Sequence, residues 1–302
     1  MCCDVTAEPR EGSESEEGRA IVDEFVSLLD LEPIDDDIFR GRRATMRRQR
    51  VFGGQVAAQA LVAAGRTVDS QRVVHSLHSY FIRPGDPSIP IVFIVDRVRD
   101  GRSFSTRRVV AVQHGQAIFS LSASFQVPQT GLDHQLSAPD GPSPQRVEVD
   151  WHGSRLVAGE TATGQYWPFD VRYVDGPSSD TAGDSDQSDH LYRVWMKARA
   201  PLPDDGLFHA CALTYACDLT LLDAILVKHG LSYLDESVRT ASLDHAVWFH
   251  RPFRADEWLL YAQTSPTASG GRGLTMAQVF DESGQHVASV VQEGVVRVQD
   301  LD

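Results

Sequence analysis

Apolar residues recur in this chain in two rhythms, one helical and one alternating, and the two come in the same order twice. Ile21, Val22, Phe25, Leu28 and Leu29 fall at helical spacing and predict a short amphipathic helix, which Pro33 and the Asp35–Asp37 stretch end. From Phe39 a basic extended stretch leads to Gly53–Gly54 and an alanine-rich run, QVAAQALVAAG, which predicts a helix opened by the two glycines. Four segments of strand character follow: Val73–Arg83, Ile89–Arg99, Arg102–Val112 and Gln116–Gln126. Turn signals at Pro84–Gly85–Asp86, Asp100–Gly101 and His114–Gly115 separate them, so a helix followed by an antiparallel meander is expected.

Residues 127–165 are rich in Pro, Gly, Ser and Asp and read as an interdomain linker. A second folded stretch begins near Tyr166 and carries a hydrophilic, acidic excursion at about 174–190 that is expected to be mobile. Leu191–Ala198 then reads as a strand, Leu213–Leu226 as a helix, and Thr240–His250, Glu257–Gln263, Leu274–Phe280 and His286–Arg297 as strands. The fold class is α+β, in two tandem units at 19–126 and 166–302 behind a disordered acidic tail at 1–18.

The helix expected at Leu213–Leu226 has an anomaly. On a helical wheel Asp218 sits in the middle of the arc formed by Tyr215, Leu221, Leu222, Ile225 and Leu226, whereas Asp223 falls outside it and reads as an ordinary solvated carboxylate. A carboxylate where a core leucine belongs loses its hydration unless it is hydrogen-bonded. It is therefore either a partnered structural acid or a general base. Gly53–Gly54 carries a similar pair of readings. Glycines at a helix start let a ligand approach unsatisfied N–H groups, or they simply make a tight turn and close packing.

Composition narrows the partners. The 302 residues suffice for one large domain or two ordinary ones, and no apolar run of membrane-spanning length occurs. Of the net charge of −14, nine charges lie in residues 1–20 and 174–190, so the remainder is only mildly acidic. Nucleic acid and anionic membrane both want a basic face, and neither is expected as a partner. Cys2, Cys3, Cys211 and Cys217 form no CxxC pair, which points to a reducing compartment without disulfides, and no metal or other cofactor is expected.

The two units also share wording. SYFIRPGD at 79–86 answers to VWFHRPFRAD at 247–256, and GRSFSTRRVVAVQHGQAIFS from Gly101 answers to GRGLTMAQVFDESGQHVAS from Gly271 with a one-residue gap. A period of this length means two copies of one α+β unit. The first copy's helix carries no acid and the second carries Asp218, so one copy is expected to be active and the other architectural.

RVFGGQVAAQAL (50–61), VHSLHSYFIRPGD (74–86), RDGRSFSTRRV (99–109), SLDHAVWFHRPF (242–253), EWLLY (257–261) and VASVVQEGVVR (287–297) together resemble the type II acyl-CoA thioesterases, the TesB-like family. The resemblance implies a double hotdog, each half wrapping an antiparallel sheet around a central helix. It also implies hydrolysis of acyl-CoA by a water that an acid, a hydroxyl residue and a glutamine hold. Carried over by phrase, these are Asp218 in ACDLTLL, Ser242 two positions before the aspartate of LDHAVWFH, and Gln292 in VVQEGVVR. Some relatives have threonine at the hydroxyl position; Ser242 keeps the hydroxyl without the methyl that restricts the rotamer.

Gly53, Gly54 and Gln55 are candidates for lining the substrate site and stabilising the thioester oxygen, Gln55 being equally a capping or packing residue. Arg83, Arg102, Arg107, Arg108, Arg251 and Arg272 are candidates for the coenzyme phosphates. His75, His78, His245 and His250 read as packing residues, Asp244 as a group bonded within the sheet and Cys217 as core filling. No GxSxG elbow is present, which argues against a serine nucleophile. Hydration of an enoyl-CoA and non-catalytic binding of acyl-CoA are the competing functions. A homodimer or higher homo-oligomer is expected, and the C-terminal VQDLD, which lacks a peroxisomal SKL, points to the cytoplasm.

Overall fold

A helix that is apolar on every side has no face to give to water, so it belongs inside. The run QVAAQALVAAG, apolar all round except for Gln55 and Gln59, comes close to such a helix. The computed structural model describes residues 16–42, 50–147, 167–175, 191–233 and 235–299, and it buries every residue of this helix from Gly54 to Ala64. In chain order the first half holds α1 (Glu16–Leu29), β1 (Glu32–Asp35), β2 (Ile38–Arg40), α2 (Gly53–Gly65), β3 (Val73–Phe81), β4 (Val92–Asp100), β5 (Phe104–Gln113) and β6 (Gln116–Gln126). The second holds β7 (Phe169–Tyr173), β8 (Tyr192–Ala198), α3 (Gly206–Cys217), α4 (Asp223–Lys228), β9 (Val238–Ser242), β10 (Asp244–Phe249), β11 (Leu259–Ser269), β12 (Arg272–Asp281) and β13 (His286–Val298).

The strands form one antiparallel sheet in the order β1-β2-β4-β5-β6-β3-β10-β13-β12-β11-β8-β7, with β9 added to β13. Read inward from either edge the order is the same in both halves: β1 answers to β7, β2 to β8, β4 to β11, β5 to β12, β6 to β13 and β3 to β10. This is the double hotdog that the resemblance implies. The seam is the β3–β10 pair, where Asp244 stands opposite Tyr80 and Trp248 opposite Ser76.

The central helices α2 and α3 lie against each other in opposite directions. A Cβ on Gly54 would come within 2.4 Å of the Tyr215 carbonyl oxygen, and one on Gly65, at the other end of α2, within 2.3 Å of the Leu207 side chain. Small residues on α2 therefore set how closely the helices approach. Asp205 caps α3, its side chain accepting from Leu207 N at 2.9 Å. Phe25 of α1 covers the helix pair, with its ring 4.9 Å from that of Tyr215 and 5.6 Å from that of Phe169. Residues 138–147 of the Pro-rich stretch cross the second half: Trp195 Nε1 donates to the Pro142 carbonyl at 3.1 Å, and Ala138 and Val147 pack with Trp195, Trp258, Leu260 and Phe280.

Several details differ from the sequence reading, among them the short strands β1, β2 and β7, which it did not foresee. Glu16–Gly18, assigned to a disordered tail, open α1; residues 1–15 lie outside the described residues, as do 148–165 of the expected linker, residue 166 and 176–190 of the acidic excursion. The expected helix Leu213–Leu226 is two helices: α3 ends at Cys217, Asp218 is its C-cap, and α4 starts again at Asp223. Tertiary contacts override local propensity here. Asp218 is held by three other elements, Gln263 Nε2 holds the Thr220 hydroxyl at 3.1 Å, and the intervening turn buries Leu219, Leu221 and Leu222 together.

A further difference is Asp223, which is not solvated. It is buried at the start of α4, where the Tyr173 hydroxyl donates to it at 3.2 Å. Another is Arg107, which is 1% exposed and unavailable to a phosphate. Its guanidinium donates to Thr67 Oγ1 at 2.9 Å, to the Thr67 carbonyl at 2.9 Å, to the Arg99 and Thr106 carbonyls at 3.1 and 3.0 Å, and to Asp100 at 2.7 Å. The repeat phrases put Ala277 at the corresponding place of the second copy, so an arginine fills in one half what an alanine leaves in the other.

Two outcomes follow. Arg107→Ala leaves several buried carbonyls without donors and lowers unfolding stability by about 3 kcal/mol, read from urea titration. Burial pushes the Asp223 carboxyl up to about 8, the Tyr173 hydrogen bond opposing. The native state then binds more protons than the unfolded chain between about pH 4 and pH 8, so stability falls as pH rises through that window. Asp223→Asn removes this fall: relative to the parent, its thermal midpoint rises at pH 8–9 and the gain shrinks toward pH 5.

Candidate active site

The start of α2 has no side-chain cap of its own, since Phe52 precedes it, and its first N–H groups carry the positive end of the helix dipole. The acid that meets it comes from the other half. Asp218 Oδ2 accepts from Gly54 N at 2.8 Å, across 164 residues of sequence. Ending α3 at Cys217 makes this possible, because the C-cap residue of α3 arrives beside the first turn of the antiparallel α2. Gly53 completes the fit: a Cβ there would lie 2.6 Å from Asp218 Oδ2 and 2.8 Å from the Phe81 ring.

The other oxygen of Asp218 takes two donors. Ser242 Oγ donates to Oδ1 at 2.9 Å and Gln292 Nε2 donates to Oδ1 at 2.9 Å; Gln292 Nε2 also reaches Ser242 Oγ at 2.7 Å. An acceptor met by three donors is the arrangement of a carboxylate anion. The structure thus brings together the three residues that the sequence singled out. Gln292 is fully buried, and its Oε1 has no hydrogen-bond partner among the described residues.

A register shift aims Ser242. The expected strand Thr240–His250 is interrupted at Leu243: Ala246 stands opposite Val291 on β13, but Ser242 stands opposite Gly294, one residue out of step. In a strand, successive side chains alternate faces, so this bulge puts Ser242 on the same inner face as His245 and Val247. Without it the hydroxyl would point to the outer face, away from Asp218.

The remaining candidates fall into place around this group. Gly54 spends its N–H on Asp218. Gln55 is buried and donates to Gln59 at 3.5 Å; it shares no hydrogen bond with Asp218, Ser242 or Gln292. A cavity of about 350 Å³ opens on the first-half side, walled by Val51, Val56, Phe81, Phe119 and Leu243 and reached by Gly53 and Ser242. Arg83 lines it, and so does Arg50, which the sequence reading passed over although it opens the RVFGG phrase. Arg102, Arg108, Arg251 and Arg272 do not line it. Arg108 is paired with Asp96 at 2.9 Å, Arg251 with Asp133, and Arg272 with Glu293 at 3.0 Å.

The histidines have structural surroundings. His75 is 2.8 Å from Ser124 Oγ, His250 is 2.9 Å from Ser289 Oγ, and His78 packs edge-on to Trp248. His245 is fully buried, and burial pulls its imidazole down to about 4, leaving it neutral at ordinary pH. Asp244 accepts from Glu293 N at 2.8 Å, within the sheet as expected. Cys217 is buried, and burial drives its thiol well above the ordinary value, so it is an inert core residue beside Asp218. No helix among the described residues is long and apolar enough to cross a membrane.

Comparison with known proteins agrees with this geometry. Residues 171–295 match the family model described as acyl-CoA thioesterase, and residues 42–126 match that of the acyl-CoA thioesterase N-terminal domain. Acyl-CoA thioesterase 2 of Haemophilus influenzae is 37% identical, covering 92% of this chain and 98% of that protein. Acyl-coenzyme A thioesterase 8 of Mus musculus is 38% identical, covering 90% and 88%. The crystal structure of the acyl-CoA thioesterase II TesB2 from Mycobacterium marinum superposes with a TM-score of 0.76 at 47% identity, covering 91% of this chain and 98% of that one. With an acid, a hydroxyl and an amide gathered at the junction of two hotdog units, and relatives of this similarity along nearly its whole length, the chain belongs to the type II, TesB-like family of acyl-CoA thioesterases.

Proposed function

We propose that the chain hydrolyses fatty acyl-CoA to free fatty acid and CoA, using a water that Asp218, Ser242 and Gln292 activate and orient. The observation that carries this is the convergence of Ser242 Oγ, Gln292 Nε2 and Gly54 N on one carboxylate at 2.8–2.9 Å, beside an apolar cavity. Asp218 accepts a proton from the water as its oxygen bonds to the thioester carbon. The C–S bond then breaks, and the departing thiolate takes up the proton that Asp218 accepted, which returns the carboxylate to its starting state. Charge on the carbonyl oxygen needs donors, and Gly54 N–H is already engaged by Asp218. The N–H groups of Gly53 and Gln55, in the same first turn of α2, are left for it.

The cavity wall supports an acyl substrate: its side chains are mostly apolar, while Arg50 and Arg83 offer cations for an anionic coenzyme. The same reading takes 19–126 and 166–302 as the two units, supported by separate family matches within each, and places a homodimer of the chain in the cytoplasm.

The test is thiol release from acyl-CoAs of graded chain length. Asp218→Asn, nearly isosteric, is expected to lower kcat by roughly 10²–10⁴-fold. A folded variant with parental turnover overturns the base assignment. Hydration of an enoyl-CoA without thiol release, or tight binding of every acyl-CoA without turnover, replaces the hydrolase by one of the competing functions.

A further inference from the structure

The inner face of the second half is unexpectedly polar behind Asp218. Gln292 on β13 stands directly opposite Thr275 on β12, and both are fully buried. Gln263 on β11, also fully buried, stands opposite Ala277, two residues along β12 from Thr275 and therefore on the same face. Directly opposed side chains start about 5 Å apart and diagonal ones remain within reach of long side chains. Gln292 Oε1, Thr275 Oγ1 and Gln263 Oε1 all lack a hydrogen-bond partner among the described residues. Their other polar atoms are committed: Gln292 Nε2 to Asp218 and Ser242, Gln263 Nε2 to Thr220.

Three orphaned oxygens in one buried neighbourhood form a consistent set. Two are amide oxygens, which only accept, and the third belongs to a hydroxyl, which can donate. One water that donated to both amide oxygens and accepted from the hydroxyl would satisfy all three, which is the number of partners a buried water usually has.

We propose that Thr275 is a positioning residue for the hydrolytic site: with Gln263 it holds a buried water on Gln292 Oε1, which fixes the Gln292 carboxamide with Nε2 turned to Asp218 and Ser242. The inference rests on the hydrolase reading above. An amide is nearly symmetric in shape, and turning it over would aim Oε1 at the Asp218 carboxylate. A donor behind Oε1 opposes that turn. Gln263 acts on the same group from a second side, since its amide nitrogen holds Thr220 in the turn that leaves Asp218 at the end of α3. Thr275 thus reaches the reacting groups only through Gln292.

The proposal is tested on the full chain by crystallography and kinetics together. An atomic-resolution structure of the parent is expected to show an ordered water within hydrogen-bonding distance of Thr275 Oγ1, Gln292 Oε1 and Gln263 Oε1. Thr275→Val, which keeps the shape and removes the hydroxyl, is expected to lower kcat about tenfold or more with KM unchanged, and Thr275→Ser to restore it. A dry site, or parental kcat in folded Thr275→Val, overturns the proposal. If Thr275→Val does not fold, the water and the Thr275→Ser kinetics still decide: no water refutes it. A parent that releases no thiol from any acyl-CoA refutes the hydrolase reading instead, and the crystallographic result separately tells whether the water site exists.

Discussion

The Asp218 carboxylate is the point at which the two halves of this molecule depend on one another. It ends α3, serves as the missing cap of α2, and ties both helices to β9 and β13 through Ser242 and Gln292. A helix N-terminus attracts an anion and a desolvated anion requires donors, so each satisfies a need of the other. The glycines of α2 follow from this contact. Gly53 leaves room for the carboxylate and Gly54 for the Tyr215 carbonyl, and neither tolerates a side chain without displacing what it touches.

The two copies have diverged around that contact while keeping the same order of strands. In the first half Arg107 fills the interior with a guanidinium whose donors go to Thr67, Arg99, Thr106 and Asp100. In the second half the corresponding residue is Ala277, and the buried polar side chains include Gln292, which donates to Asp218, Gln263, which donates to Thr220 two residues beyond Asp218, and Thr275 opposite Gln292. One copy spends its buried polarity on holding itself together, and the other keeps polar oxygens beside the site.

Much of this was legible in the residues. The long strands of the two meanders appear at or near their expected positions, because alternation and turn residues act locally, whereas the short edge strands β1, β2 and β7 were not foreseen. The duplication was visible in repeated wording and reappears as a strand order that reads the same from both edges. Asp218, Ser242 and Gln292 were found by phrase and by the oddity of an acid among leucines. The wheel that drew attention to Asp218 nevertheless assumed a helix running on to Leu226, and that helix stops at Cys217. The same wheel misplaced Asp223, which is buried against Tyr173 instead of facing water.

By itself, then, the sequence determined the class of most elements, which depends on neighbours within a few positions, together with the tandem arrangement, which shows in repeated wording, and the residue types available for chemistry. Three things were decided only by tertiary structure. The break after Asp218 comes from partners on α2, β9, β11 and β13; the face that Ser242 presents comes from a one-residue bulge against β13; and the burial of Arg107 comes from the way its half closes over it. Each depends on residues far away along the chain, as Gly54 is from Asp218, and periodicity carries no record of contacts at that distance.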